Sequence, residues 1–363
     1  MQVDSVRRFA SYASQRCDRL PRQWTPRGTR VHRASRDAGC GNLLRLPESR
    51  HTIQFSIRNA LPAVAAAAAV GAIKPRELPV EIYYFSGTGN SLHVAKELAS
   101  RFADARLIPM VGLMREAGPD GRMATTSKTV GLVFPVHLST LPYLVKDFVE
   151  RMDFASAEYV FAALTRIGTV SYAEISLSRL LEHQGKGLDA LFYITMAANS
   201  PCGVMPKSFP GFKRMTEGWV DRIAAEKLEE LERDVQRKLD TIEETVATRR
   251  RYRDGHSPFT RLGNQLMAFL LAPTEASSRK QRLPFYADHT CTACGICAEV
   301  CLSGRVVMED GKPAWQDPAP CYLCYACFNS CPEQAILIED RYDRKLGRYL
   351  HPQIQPSEIA AQK

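Results

Sequence analysis

Val80-Glu81-Ile82-Tyr83-Tyr84-Phe85-Ser86-Gly87-Thr88-Gly89-Asn90-Ser91 is where this 363-residue chain first becomes regular. Residues 80–85 are β-branched and aromatic, the composition of a strand. Leu92 to Phe102 then repeats apolar residues at helical spacing through Val94, Ala95, Leu98 and Phe102. Between strand and helix lie six residues that are all glycine, hydroxyl or amide. Such a loop cradles phosphate: glycines let backbone N–H groups turn inward, the hydroxyls of Ser86, Thr88 and Ser91 add donors, and the helix N-terminus supplies partial positive charge. No lysine follows Gly89, so this is not a Walker loop, and Leu92 stands where a dinucleotide fingerprint has its third glycine.

The other decisive stretch is C-terminal. Eight of the eleven cysteines fall within 41 residues as two copies of C-x2-C-x2-C-x3-C: Cys291, Cys294, Cys297, Cys301, then Cys321, Cys324, Cys327, Cys331. A four-iron cubane takes one outside ligand per iron, thiolates suit iron, and three cysteines at three-residue spacing on a curling loop reach three corners. Zinc ribbons use cysteines in twos and leave no use for the middle one, while disulfides do not suit spacing this tight. The arrays resemble those of bacterial two-cluster ferredoxins, in which the fourth cysteine of each run ligates the other cluster. That resemblance implies two [4Fe-4S] clusters, one on Cys291, Cys294, Cys297 and Cys331, the other on Cys321, Cys324, Cys327 and Cys301. Pro332 follows the second array and leads into a closing strand, Gln334 to Ile338; Leu302 stands at the equivalent place in the first. A missing proline there predicts a looser backbone beside the second cluster. Val306–Met308 and Gly311–Trp315 read as a hairpin turning at Asp310-Gly311.

The segment Phe85 to Ser91 resembles the FMN-phosphate loop of flavodoxins. The order of the two parts is similar to that of the flavodoxin-ferredoxin fusion proteins, the EFR-type ferredoxins found largely in anaerobic microbes, and the likeness covers about residues 80–340. It implies FMN, held by Ser86, Gly87, Thr88, Gly89, Asn90 and Ser91, and two further flavin loops at the carboxyl ends of strands. The strand Val130–Phe134 leads into Pro135, Val136, His137 and Leu138, which is similar to the second of these loops; Val160–Leu164 leads into Thr165-Arg166-Ile167-Gly168-Thr169, which departs from the third, with Thr165 and Gly168 the implied contacts. With a strand near Arg106–Pro109 and a fifth at Leu191–Met196, the expectation is an α/β flavodoxin-like five-stranded parallel sheet, followed by an α+β two-cluster ferredoxin-like domain.

Charge confines the remaining possibilities. The whole excess of +9 lies in residues 1–79, which hold fourteen Lys and Arg against five Asp and Glu; the rest balances at 34 of each. The folded part therefore carries no polyanion-attracting field, and nucleic acid is not an expected partner. Residues 1–79 are Arg-rich and without periodicity. They read as a disordered extension: a transit peptide, a twin-arginine signal through Arg7-Arg8 whose apolar stretch lies too far away, or an upstream misassigned start, favoured because no methionine occurs between Met1 and Met110. No segment reads as a membrane span, and the expected location is cytoplasmic.

The domain expectation is thus extension 1–79, flavodoxin-like domain 80–213, long helix and linker 214–283, ferredoxin domain 284–342 and tail 343–363. Within the linker Val220, Ala224, Leu228, Leu231, Val235, Leu239, Ile242 and Val246 form a stripe over a helix spanning about 217–250, which either lies along the flavodoxin domain or pairs two copies. Leu266–Leu271 reads as a short apolar helix. Cys17, Cys40 and Cys202 read as inert thiols, and His289 as a shield for a cluster. The functional expectation is electron transfer between two [4Fe-4S] clusters and FMN, to or from a ferredoxin-like protein partner. Alternatives are an FMN-dependent reductase of a small substrate, with His137 or Cys202 as proton source, and a redox sensor.

Overall fold

The run 80–84 forms strand β1 (Val80–Tyr84), buried at every position, and four more apolar runs join it side by side. β2 (Arg106–Pro109), β4 (Thr129–Pro135), β6 (Tyr159–Arg166) and β7 (Ala190–Thr195) all pair in parallel, in the order β2-β1-β4-β6-β7. That order is the flavodoxin-like doubly wound one. A sixth strand of two residues, β8 (Tyr252–Arg253), extends the sheet beyond the five expected from sequence. Its periodicity is too short to read; its Tyr252 ring stacks on Phe192 with centroids 4.8 Å apart. β3 (Met123–Ala124) and β5 (Met152–Asp153) form a separate small parallel pair.

The computed structural model describes residues 79–363, except 168–170, 201–206, 209, 213–222, 255–261, 267–268, 270–277, 343–344 and 346. The N-terminal extension with Cys17 and Cys40, and also Gly168, Cys202, Val220 and most of 266–271, lie outside the described residues. Those that are described belong to one compact unit.

Both faces of the sheet are covered, as a parallel sheet requires. The crossovers are α1 (Asn90–Arg101), α2 (Met110–Ala117), α3 (Tyr143–Arg151) and α4 (Ala173–His183), and α5 (Ala225–Ala247) leads from β7 to β8. Gly131 sits within β4 opposite Phe161, and a Cβ there would come within 2.5 Å of that ring. The apolar stripe of α5 is spent inside the chain: Val235, Leu239, Ile242 and Val246 are buried in the same core as the sheet, while Leu228 and Leu231 are only half-buried. Among the described residues no helix is long and apolar enough to cross a membrane.

The cysteine-rich half is built from two similar pieces. Each array curls through two left-handed residues, two and four positions after its first cysteine: Ala293 and Gly295 in the first, Leu323 and Tyr325 in the second. Each then enters a single helical turn, α6 (Ile296–Glu299) or α7 (Ala326–Asn329). β9 (Phe285–Ala287) pairs antiparallel with the closing strand β12 (Ile336–Ile338). β10 (Val306–Glu309) and β11 (Lys312–Trp315) form the expected hairpin, with Asp310 and Gly311 both at positive φ, as a two-residue type I′ turn demands.

Leu302 overturns the expectation of a loosened backbone. It is fully buried, together with Val300 and Ala326, in the core of the α/β part, and its carbonyl accepts from Arg115 Nη2 at 3.0 Å. Where the second array has proline, the first has an apolar anchor into the neighbouring half. Beyond β12 the chain returns to the α/β part and ends in α8 (Pro356–Ala360), whose first turn is closed by a capping box between Gln355 and Glu358.

Candidate functional site

Strand order reverses between β1 and β4, so the loops leaving those strands part and leave a crevice. One wall is the loop 86–91. Ser86, Thr88 and Ser91 are almost fully buried. Gly89 precedes α1 with φ 93°, in the left-handed region, and no side chain caps the helix. Among the described residues no protein acceptor faces the amides of Gly87, Thr88 and Asn90, while Ser86 Oγ accepts from Gly89 N–H at 3.1 Å. A set of inward amides at a helix N-terminus, without a cation among them, fits an oxyanion such as a phosphate.

The opposite wall comes from β4 and β6. Pro135, Val136, His137 and Thr165 line the same crevice as Ser86, Gly87, Thr88, Asn90 and Ser91. Ser91 Oγ and Thr165 Oγ1 are 2.8 Å apart and tie the walls together. His137 begins a tight turn closed by Thr140 N–H donating to His137 O at 2.7 Å, with Leu138 at φ 50° and Ser139 at φ 64°. Two non-glycine residues in the left-handed region cost about 1–2 kcal/mol each, strain of the kind that collects at ligand-contacting loops. Burial lowers the His137 imidazole to about 4, so it is neutral at neutral pH. Leu138 (43 % exposed) and Ile167 (52 %) are the exposed apolar side chains of these two loops. Of the residues expected from sequence, Gly89 and Leu138 stand at the edge of the crevice rather than in its lining.

The crevice has further residues that sequence reasoning missed. Met196, Ala197 and Asn199, just past β7, complete the lining. Asn90 Nδ2 donates to Ala197 O (2.9 Å), and Asn199 Nδ2 to Thr88 Oγ1 (2.9 Å). The rule that ligands bind beyond the carboxyl ends of strands would have found them. Arg166 and Ile167 also line the crevice, and the Arg166 guanidinium sits 3.5 Å over the Tyr193 ring.

The cysteines fall into two groups. Cys291, Cys294, Cys297 and Cys331 line one small cavity. Cys301, Cys321, Cys324 and Cys327 lie within electrostatic reach of one another and form the other. Burial pushes the Cys297 thiol up to about 11 and Cys324 to about 12. A thiol held protonated by burial needs a cation beside it to become a thiolate, and four cysteines gathered at one place suit iron. Amides point at the sulfurs: Val306 N–H donates to Cys301 Sγ at 3.4 Å and Ala335 N–H to Cys331 Sγ at 3.3 Å. Such bonds stabilise the more negative state of a cluster.

The groups are placed very differently. Cys294 is exposed. Cys324 instead lies against the loop 86–91: a Cβ on Gly87 would stand 2.3 Å from Cys324 O and 2.6 Å from Cys324 Cβ. Tyr322, beside it, sets its ring edge-on to Phe85, centroids 6.1 Å apart. Gly87 thus permits the close approach of a cluster loop, and the crevice and the second cysteine group share a wall.

His93, Glu232 and His351 also come together, with ligand atoms all within 4.8 Å of one another. The two rings stack at 4.1 Å with 20° between planes, so no ion can lie in both ring planes, where the nitrogen lone pairs point. His93 Nε2 is instead 3.1 Å from Glu232 Oε1, as in a hydrogen bond. The trio joins α1, α5 and the C-terminal segment.

Residues 290–336, which contain all eight cysteines of the arrays, match the family of 4Fe-4S dicluster domains. This part of the chain is therefore an iron-sulfur domain holding two [4Fe-4S] clusters, an electron-transfer module. Among curated proteins nothing matches the chain. Among solved structures, it is similar to a protein described as a flavoprotein from Bacteroides uniformis ATCC 8492, at 14% identity over 39% of this chain and 98% of that one, TM-score 0.25. It is also similar to the NAD(P)H:quinone oxidoreductase from Methanothermobacter marburgensis, at 9% identity over 50% of this chain and all of that one, TM-score 0.26.

Proposed function

We propose that the crevice at the β1–β4 switch point binds FMN and that the protein moves electrons between a protein partner and this flavin through its two clusters. The carrying observation is the contact of Gly87 with Cys324, which sets a cluster loop against the cofactor loop. The amides of Gly87, Thr88 and Asn90 and the hydroxyls of Ser86 and Thr88 would take the phosphate; Pro135 to Leu138, Thr165 and Ile167 would flank the ring system. Bound FMN supplies a centre that exchanges electrons singly with clusters and in pairs with two-electron partners. His137, neutral at working pH, offers a ring nitrogen for hydrogen bonding to the flavin rather than a cationic acid. With the ligand sets crossed, the cluster of Cys301, Cys321, Cys324 and Cys327 would lie next to the flavin. The cluster of Cys291, Cys294, Cys297 and Cys331 is the outer one, and the exposed Cys294 marks the face where a one-electron protein partner docks.

Anaerobic purification with iron, sulfide and flavin counts tests the composition: about eight irons and one FMN per chain are expected. Stopped-flow reduction tests the wiring. A one-electron protein donor should reduce iron before flavin, and Gly87→Ala, which forces the Cys324 loop away, should slow the second step by at least about tenfold while leaving the first unchanged. Zinc in place of iron, no flavin, or flavin reduced ahead of iron would sink the proposal.

A further inference from the structure

We infer that the C-terminal strap, residues 349–363, is part of the flavin site and that Gln362 is a cofactor-positioning residue; this rests on the reading of the crevice as an FMN site. The observation is a paired hydrogen bond across the chain. Ser86 N–H donates to Gln362 Oε1 at 2.9 Å, and Gln362 Nε2 donates to Ser86 O at 2.8 Å. Both residues are essentially unexposed.

Ser86 is the residue at which the β1 ladder ends. Phe85 N–H still donates to Val133 O of β4 at 3.0 Å; one residue on, the chain must turn away from the sheet to form the cradle. Its buried N–H and C=O then need partners from elsewhere. A glutamine amide offers one acceptor and two donors in a plane and replaces a neighbouring strand for one residue. The same strap covers the rest of the loop: His351 N–H donates to Thr88 O at 2.9 Å, and Tyr349 OH to Asn90 Oδ1 at 2.8 Å. Gly89 has no room for a side chain because a Cβ there would meet His351 Cβ at 2.8 Å and Ile354 Cβ at 3.0 Å. Four of the six loop residues are therefore held from behind by a segment that lies 250 residues away in sequence. The amides of Gly87, Thr88 and Asn90 have no protein acceptor among the described residues and belong to residues that line the crevice, while the strap satisfies the other polar groups of the loop.

Gln362 is also neutral, and that matters beside a phosphate. Glutamate has the same shape and keeps an acceptor for Ser86 N–H, yet when ionised it offers Ser86 O no donor and sets a negative charge behind a dianion.

The test is the rate of FMN release, followed by the rise of free-flavin fluorescence in the anaerobic, cluster-loaded full chain, with iron counted in each sample. Gln362→Ala should release FMN on the order of tenfold faster than wild type at unchanged iron content. Gln362→Glu should release it faster still at about pH 8 and return towards wild type at about pH 5, because burial at this fully enclosed position raises the carboxyl's pKa and lets it regain a proton and a donor there. A side chain that only fills space gives no such pH profile. Should the alanine variant also lose iron, the glutamate variant at the two pH values decides, since both readings come from one folded sample. Equal release from wild type and both variants at every pH overturns the inference and leaves the flavin reading intact. A wild-type chain that takes up no FMN overturns the flavin reading and this inference with it.

Discussion

Glu81 is the one charged residue of β1, and its neighbours explain how the strand tolerates it. Thr125 Oγ1 donates to its carboxylate at 2.5 Å, Tyr83 OH at 2.7 Å, Thr126 Oγ1 at 3.0 Å and Arg106 Nη1 at 2.8 Å. Burial alone would raise its pKa, but the hydrogen bonds from Thr125, Tyr83 and Thr126 outweigh that and bring it below the ordinary 4.5. A carboxylate depressed in the folded state contributes stability above its unfolded value, lost as pH falls through its folded value. Glu81→Gln should therefore lower stability at neutral pH by on the order of 1–3 kcal/mol. The difference from wild type should shrink as pH drops below 4.5, checked by urea unfolding across that range. At this scale the sequence was partly legible. The two cysteine arrays could be read because their spacing is local, but the roles of Asn199 and Gln362 could not. An amide is informative only once its partner is known, and these partners lie 111 and 276 residues away.

Helix α5 shows how an element can be read correctly in type and incompletely in purpose. Its stripe is visible as a three-four spacing, and the spacing is the same whether the face meets a sheet or a second copy. Packing separates the two ends. Leu239 is fully buried against the α/β core, whereas Leu228 is half-exposed beside His351 and Gln353 of the strap. Leu239→Ala should cost about 2–5 kcal/mol, and Leu228→Ala no more than about 1 kcal/mol, compared by chemical unfolding of the cluster-loaded chain. Equal costs would mean the upper helix is covered by something other than the contacts described. The hairpin at Asp310-Gly311 and the closing strand were legible because turn chemistry and alternation are local, while β8 was not, because two residues carry no period.

For the whole molecule, the join between halves is what sequence conceals most. The order of parts was readable, and so was the general architecture of each, but nothing in the motif spacing says that Leu302 would be a core residue of the other half. Its position looked like a lost proline. Leu302→Ala should lower stability by about 2–5 kcal/mol without changing the iron count, since it truncates an anchor and leaves every cysteine in place; thermal unfolding with iron analysis checks both. Loss of iron in that variant would show that the anchor also supports the cluster.

The contact of Gly87 with Cys324 has a consequence for how such a protein works among its partners. Redox proteins often carry a cofactor on a tethered domain that swings between donor and acceptor, so that turnover follows domain motion and slows in viscous solvent. Here the glycine lets two loops pack backbone to backbone, and the spacing between the cluster loop and the crevice of the proposed flavin is set by the fold. On the proposed function, internal electron exchange over that spacing would be a fixed-distance event, indifferent to viscosity. The cost would be reach: an outer cluster fixed in this way would not swing out to meet a protein partner, so the proposed partner would do the travelling.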